Sequence, residues 1–331
     1  MTRAPRAGRA QAGFTLIELM ISLVLFSFAV AGVLAVAVSM TQAFREQRAA
    51  VGAESSVRVP IDFLGDALRE SSPGAPTGNI QDAATCNTTG ALSVLSNQTA
   101  LHDPTLTGWD QLDVVYASGA VVTSTRATYT TGTTSLAITD ASQLSVGDFI
   151  VISDTNQGHI VQITGISGNT VALAPQCGGI VLPTNGYAAG SLVIRAQHAT
   201  FTLDSIDGIP TLMMDPDGGG PQLPQPLAEG IEDMQVALGV DVNGDGVVTE
   251  VGLAANDDEW YGNYAGDIPL TGALRAVRIS LIARTTSGLV GNLNSYSRPP
   301  LEDHAAGTVL DQYRRRVLKT MVEIRNMGAS P

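Results

Sequence analysis

The residues best suited to chemistry form a short acidic run in the last third of the chain. Oxygen-bearing side chains alternate with small or apolar residues from position 241 to position 250, and Gly246 stands at the sixth position. This spacing matches the first half of an EF-hand-like calcium loop, in which the glycine allows a sharp turn. The candidate calcium ligands are Asp241, Asn243, Asp245, Val247 (through its carbonyl), Thr249 and Glu250.

The second half of this run departs from the calcium pattern. The twelfth position is Gly252, where a calcium loop requires a bidentate glutamate. Glu250 or the acidic residues at 257–259 would replace that glutamate only if the loop curls. The alternative is a hairpin loop in which the Asx side chains cap turns. The sequence predicts no cofactor beyond this candidate structural calcium.

A single carboxylate at the start of a long apolar segment is the second candidate. Residues 19–40 contain no charge, and Arg3, Arg6 and Arg9 precede them. A helix of that length crosses about 30 Å of hydrocarbon. Glu18 lies in its first turn, where an ionised carboxylate is costly unless a positive charge neutralises it. An ordinary secretory signal has a shorter apolar core, and a plain anchor leaves Glu18 unexplained, so a signal cut ahead of the helix is favoured.

The other reactive residue types show no catalytic arrangement. The four histidines are scattered along the chain, and we predict that each is an ordinary surface or loop residue. The sequence contains no nucleophile motif and no phosphate-binding loop. We therefore predict no catalytic residues and no enzymatic activity. Cys86 and Cys177 are the two cysteines, and an oxidising compartment beyond an export signal favours a disulfide between them. Two unpaired, buried thiols are the alternative.

Hydrophobic periodicity predicts an α+β fold, with a long N-terminal helix packed on an antiparallel sheet. Apolar residues at spacings of three and four continue the helix, Pro60 predicts a kink or local break, and residues 71–74 predict its end. Period-two alternation predicts strands at 231–240, 277–283 and 318–324 that cover this helix. Short strand patterns at about 126–205 predict a small β-barrel or sandwich inserted in the head.

The N-terminal residues resemble a known processing signal. Residues 13–21 are similar to the cleavage and methylation motif of type IV pilins and type II secretion pseudopilins. The resemblance implies cleavage by a prepilin peptidase between Gly13 and Phe14, followed by N-methylation of Phe14. It also implies an assembly role for Glu18, whose carboxylate would pair with the new ammonium group of a neighbouring subunit.

The last third of the chain is similar to the PilW family of minor pilins. The similar segments are residues 230–236, 239–246, 275–281, 313–317 and 323–326. The resemblance implies a bacterial minor pilin that primes or initiates type IV pilus assembly with other minor pilins and the major pilin. A type II secretion pseudopilin and a pilus-associated adhesin or DNA-uptake subunit are the alternatives.

The resemblance also predicts the organisation of the chain. Residues 1–13 would be a leader peptide, residues 14–72 the pilin helix, and residues 73–331 a β-rich periplasmic head. The helix would span the bacterial inner membrane at about 14–40, before the subunit enters the pilus at the cell surface. No specific nucleic-acid partner is expected, because the formal net charge is −13. The arginines at 314–316 have two interpretations. Either they alternate between the two faces of the last strand, with Arg315 on one face and its neighbours in solvent, or they form an ion-paired contact with an acidic partner or with the 241–259 loop.

Overall fold

The computed structural model describes residues 15–75, 80–82, 91–99, 106–130, 133–154, 157–174, 186–218, 222–250, 259–263, 270–286, 288 and 295–324. The chain divides into two compact units, Met1–Ala49 and Ala50–Pro331.

One long helix, α1, occupies Leu16–Arg69. Its large apolar side chains are exposed between residues 16 and 44, where the helix is apolar on all sides. Between residues 57 and 68 one apolar stripe is buried, formed by Val57, Ile61, Leu64 and Leu68, while Val59 lies outside it and is exposed. The helix continues through Pro60, so the predicted local break does not occur. Burial of the stripe on both sides of Pro60 compensates for the backbone hydrogen bond that proline removes.

The helix ends at the predicted stop. Ser72 has a φ of 54° and Gly74 a φ of 74°, so both leave the helical region of the backbone. The Ser72 N–H donates to the carbonyl of Val115 (2.9 Å), and the Ala117 N–H donates to the carbonyl of Glu70 (3.0 Å). These bonds attach the end of α1 to strand β3 (Thr107–Ser124).

The larger sheet contains ten of the described strands. They are β1 (Ile80–Asp82), β2 (Leu92–Thr99), β3, β4 (Ser135–Ala137), β5 (Phe149–Ser153), β6 (Gly158–Ser167), β7 (Thr170–Leu173), β8 (Leu192–Ile206), β9 (Ile209–Asp215) and β10 (Gln225–Glu229). Hydrogen-bonded neighbours follow the order β10-β9-β8-β5-β6-β7-β4, while β3 pairs with β2 and β8. Among the described pairs of this sheet, β1 with β6 is parallel and the others are antiparallel.

The smaller sheet confirms the three strands that alternation predicted. It consists of β11 (Ile231–Asp241), β12 (Trp260–Tyr261), β13 (Ala273–Arg284) and β14 (Arg315–Glu323), in the order β12-β11-β13-β14 and antiparallel throughout. Leu64 and Leu68 of α1 share one hydrophobic core with Val277 and Leu281 of β13 and with Phe201 of the larger sheet. The end of the helix therefore packs on the sheet as predicted.

The predicted insert has its own hydrophobic cluster but not its own sheet. Tyr129, Tyr187 and apolar residues of β4 to β8 form this second cluster. However, β5 is hydrogen-bonded to β8, so the strands of the insert extend the larger sheet and do not form a separate barrel or sandwich. Because β8 is long, it serves both parts. Ser124 and Leu192 pair directly across β3 and β8, so the insert leaves and re-enters the main fold at adjacent points.

Candidate functional site

Glu18 closes a capping box at the start of α1. The Thr15 N–H (3.5 Å) and the Thr15 hydroxyl (3.3 Å) donate to Glu18 Oε2, and the Glu18 N–H donates to Thr15 Oγ1 (3.3 Å). This arrangement satisfies backbone donors that the first turn of a helix otherwise leaves free. The Thr-x-x-Glu spacing of residues 15–18 is a sequence signal for the box, and the charge pattern alone does not reveal it.

The segment Leu16–Arg45 is long and apolar enough to cross a membrane, judged by length and composition. Three of its hydroxyl groups have partners within the helix. Ser22, Ser27 and Thr41 each donate to the backbone carbonyl four residues earlier, at 2.7–2.8 Å. Because hydrocarbon offers no water to these groups, internal hydrogen bonds make the segment compatible with an apolar environment.

Two of the predicted sites lie outside the described residues. They are the cleavage point between Gly13 and Phe14 and the disulfide between Cys86 and Cys177. Both stay predictions.

Asp241, the first candidate calcium ligand, is occupied by its own loop. Its Oδ1 accepts the Gly244 N–H (2.7 Å), and its Oδ2 accepts the Gly246 N–H (3.0 Å). The guanidinium of Arg275 lies 3.2 Å from the same Oδ2. Burial acts to raise the pKa of Asp241, but the hydrogen bonds from Gly244, Gly246 and Arg275 outweigh it and hold the pKa below its ordinary value.

The other candidate ligands also stabilise turns. Asn243 Oδ1 accepts the Asp245 N–H, and Asp245 Oδ1 accepts the Val247 N–H, both at 2.8 Å. The Thr249 N–H donates to Glu259 Oε2 (2.8 Å), and this bond lowers the pKa of Glu259. Asn243 and Asp245 therefore each accept the backbone N–H two residues later, as an Asx turn requires.

Two arginines weaken the fit of this loop to a cation. The positive charge of Arg275 lies beside Asp241, where a cation would bind. Glu250 Oε2 lies 3.0 Å from Arg278 Nη1, so this carboxylate pairs with an arginine on β13 and does not face the other candidate ligands. Within the described part of the chain, no group of three or more His, Cys, Asp or Glu side chains is arranged to hold a metal ion. The described arrangement favours the turn-capping alternative, and calcium binding stays a prediction.

A buried cluster of ionisable residues joins the two sheets, and no sequence spacing reveals it. Arg298 Nη1 (2.5 Å) and His304 Nδ1 (2.7 Å) both contact Asp233 Oδ2 on β11. On β3, Asp110 Oδ2 accepts the N–H of Val236 (2.9 Å). Burial raises the pKa of Asp110 to about 7, although the Val236 hydrogen bond opposes the shift. The members come from positions 110 to 304, so tertiary structure alone brings them together.

Glu302 fixes the loop before β14 to the outer face of the smaller sheet. Its carboxylate accepts from Arg278 Nη2 (2.9 Å), Lys319 Nζ (2.7 Å) and Ser280 Oγ (2.6 Å). Burial acts to raise the pKa of Glu302, but these bonds outweigh it and hold the pKa below its ordinary value. Its backbone φ of 47° lies in the left-handed region, which costs free energy for a residue with a side chain. The ion pairs hold this conformation in place.

The structure corrects, for two of the four histidines, the prediction that they are surface or loop residues. His159 lies on β6 and His198 on β8, and both are buried. His159 Nδ1 is 3.0 Å from the Tyr187 hydroxyl, and the two rings stack at 5.4 Å. Burial lowers the pKa of His159 to about 4, which keeps the ring neutral. His304 belongs to the buried cluster, and His102 lies outside the described residues.

The arginine run at 314–316 is partly structural. Arg315 contacts Glu232 (2.6 Å) and Asp311 (2.5 Å), and among the described residues of the 241–259 loop, one of its predicted partners, it has no ion pair. Arg316 is exposed. One arginine therefore anchors the start of β14, and the next remains at the surface.

Family models match two parts of the chain. Residues 8–34 match the prokaryotic N-terminal methylation motif, and residues 197–326 match PilW, the type IV pilus-assembly protein W. Among solved structures, the chain is similar to the type IV-like pilin TTHA1219 from Thermus thermophilus, with 15% identity and a TM-score of 0.22. That similarity covers 55% of this chain and 85% of the other. No curated protein matches the chain significantly.

The methylation motif at the start of an exposed apolar helix, together with a β-rich head, defines a membrane-anchored type IV pilin. Within this class, residues 197–326 match the PilW family, and this match together with the methylation motif supports a minor pilin of the type IV pilus. The motif and the match imply processing by a prepilin peptidase and assembly with other pilins.

Proposed function

We propose that this minor pilin primes pilus assembly from the bacterial inner membrane. The helix crosses the membrane once, at about residues 14–40, and residues 73–331 form the periplasmic head. The subunit then enters the pilus at the cell surface. Its partners are other minor pilins and the major pilin, and its role is structural and not catalytic. Nucleic acid is not among these partners, because the formal net charge is −13.

The observation that carries this proposal is the exposed apolar surface of α1 between residues 16 and 44, with Glu18 as its single acidic residue. Exposed apolar side chains are stabilised only when lipid or other helices cover them. Cleavage between Gly13 and Phe14 would create an ammonium group, which N-methylation of Phe14 leaves positively charged. A neighbour's ammonium and Glu18 would then neutralise each other in apolar surroundings.

The capping box supplies Glu18 with a partner before assembly. Thr15 offers it a backbone N–H and a hydroxyl, both neutral donors at 3.3–3.5 Å. An ammonium group adds a charge–charge attraction to the carboxylate that neutral donors cannot supply, and this attraction is stronger in apolar surroundings than in water. The ammonium of an incoming subunit would therefore displace Thr15 from the carboxylate. Assembly would thus replace the hydrogen bonds between Thr15 and Glu18 with an ion pair between two subunits, inside an otherwise apolar interface.

The test is the Glu18→Ala variant in cells, with Asp62→Ala as the matched control on an exposed helical carboxylate. We expect Glu18→Ala to reduce the number of pili to that of a strain lacking the protein. Cleavage after Gly13, measured by mass spectrometry, should continue. Asp62→Ala should assemble normally. Normal piliation of Glu18→Ala would contradict the proposal, and loss of secretion with intact pili would indicate a type II secretion pseudopilin.

A pilus-associated adhesin or DNA-uptake subunit is the second candidate, and the separate hydrophobic cluster of the insert favours it. Because Ser124 pairs with Leu192, residues 125–191 can be replaced by an Asn-Gly hairpin turn. The adhesin hypothesis predicts that this variant makes pili but loses adhesion. Val151 and Ile160 of the insert also pack in the main core, so a thermal unfolding control must accompany the result.

A further inference from the structure

The described part of the head has one long and regular strand edge. β14 pairs with β13 over nine residues without a register shift, and no described strand pairs with its other side. The remaining described edges are short or interrupted. β1 and β4 have three residues and β12 two, while β2 and β10 contain register shifts and β10 also contains Pro226. A long regular edge presents unpaired N–H and C=O groups that can add another strand.

The outward side chains of β14 do not protect this edge. Val317 and Met321 are 41% and 60% exposed. Between them, Lys319 Nζ lies 2.7 Å from Glu302 Oε1, so its charge is already engaged within the chain. Proteins block exposed edges with free charges, prolines or bulges. Among the described residues of β14 there is no proline and no bulge. Covering Val317 and Met321 with a partner would remove their apolar surface from water, which is favourable.

Charge indicates what kind of strand would cover the edge. Arg316 is exposed at the beginning of β14, in a chain with 18 basic and 31 acidic residues. β14 carries three basic residues and one acidic residue, so pairing it with the same strand of a second copy would bring together two strands of like net charge, which is unfavourable. An acidic strand would instead complement Arg316. The edge therefore favours a different, acidic strand.

We propose that the free edge of β14 adds an extended strand from a neighbouring pilus subunit. Apolar side chains of that strand pack on Val317 and Met321, and its acidic side chains pair with Arg316. Backbone hydrogen bonds supply affinity and register, while these side chains supply specificity. The proposal deepens the proposed function and rests on it only for the identity of the neighbour as a pilus subunit.

The experiment is site-specific photo-cross-linking of the full chain in the cell's own membrane. A photoreactive amino acid is placed at Val317 or Met321, and at Val146 as an exposed control position in the insert. We expect positions 317 and 321 to cross-link to another pilus subunit, within a segment that alternates apolar and acidic residues. Val146 should give no such product. Absence of this product from positions 317 and 321, or a product with a second copy alone, would overturn the proposal.

A charge pair of variants tests the acidic partner. With the probe at Val317, Arg316→Glu should lower the yield of product about tenfold, because like charges across a strand pair repel. Arg316→Lys keeps the positive charge and should retain the product. Equal losses in both variants would overturn the assignment of an acidic strand. Limited proteolysis should show both variants folded, since position 316 is exposed.

Failure of this proposal is distinguishable from failure of the priming role. Normal pilus numbers in Glu18→Ala cells would contradict priming, whatever the cross-linking shows. A missing product at positions 317 and 321 in cells that process the subunit and assemble pili would overturn only the pairing of β14.

Discussion

The two ends of α1 carry similar apolar side chains in opposite surroundings. Between residues 16 and 44 these side chains are exposed, whereas between residues 57 and 68 they are buried in the core of the head, with the exception of Val59. The first segment is apolar on every side and the second has a single apolar stripe. The first therefore depends on lipid or other subunits, and the second is stabilised within its own chain.

Charged groups show the same contrast. Glu18 is held by Thr15, a neighbour in the sequence. Asp233 is held by Arg298 and His304, which are distant in the sequence. A local partner suits a carboxylate that the proposed assembly step transfers to a neighbouring subunit, and a buried tertiary partner suits a charge that stays in place. Stability measurements on the head should separate the two regions.

The largest expected effect comes from truncating the buried stripe. Leu64→Ala should lower the free energy of unfolding of the head by about 2–5 kcal/mol, because Leu64 is fully buried and a cavity would remain. Leu34→Ala, at a position that is 60% exposed, should leave it unchanged. Denaturant unfolding of the full chain in detergent, followed by the fluorescence of Trp109 and Trp260, measures both. Equal losses would remove the contrast between the two ends of α1.

Breaking the buried cluster should have the next largest effect. Arg298→Met leaves Asp233 buried without its guanidinium partner and should cost about 3 kcal/mol of unfolding free energy. Arg316→Met, at an exposed arginine, should change it by about 0.5 kcal/mol or less. The same unfolding assay compares the two variants. A negligible cost for Arg298→Met would show that this cluster does not stabilise the head.

Asp110 should make the stability of the head depend on pH. Its pKa is raised from 3.8 to about 7, so the folded state binds the proton more tightly and is destabilised as pH rises between these values. Asp110→Asn keeps an oxygen for the Val236 N–H and should add about 2 kcal/mol of stability near pH 8. Near pH 4 the gain should vanish. Asp62→Asn is the exposed control, and a gain independent of pH would refute the assignment to Asp110.

The smallest effect concerns the acidic loop. Asp245→Ala removes one exposed turn hydrogen bond and should cost about 0.5–1 kcal/mol. Because Arg275 and Arg278 engage Asp241 and Glu250, we expect calorimetric titration of Ca²⁺ into the full chain in detergent to give no saturable heat. A saturable heat that Asp241→Asn abolishes would establish the calcium loop instead.

Local patterns predicted most of the elements. The uncharged run, the three- and four-residue spacing and the period-two alternation predicted α1 and strands β11, β13 and β14, which the structure confirms. Short strands occur where the insert was predicted, but they join the larger sheet through β8. Burial of His159 and His198 was not predicted, because a single polar residue on a strand carries no signal for the face that becomes covered.

The amino-acid order by itself determined the apolar helix, its processing motif and the alternating strands, because each depends on residues within a few positions of one another. Tertiary structure alone decided which charges are buried together, which strands are neighbours and which strand edge stays open. The physical reason is that Asp110, Asp233 and Arg298 come close together only after distant segments of the chain have paired. Whether burial of a charge is tolerated depends on the partners that it then contacts.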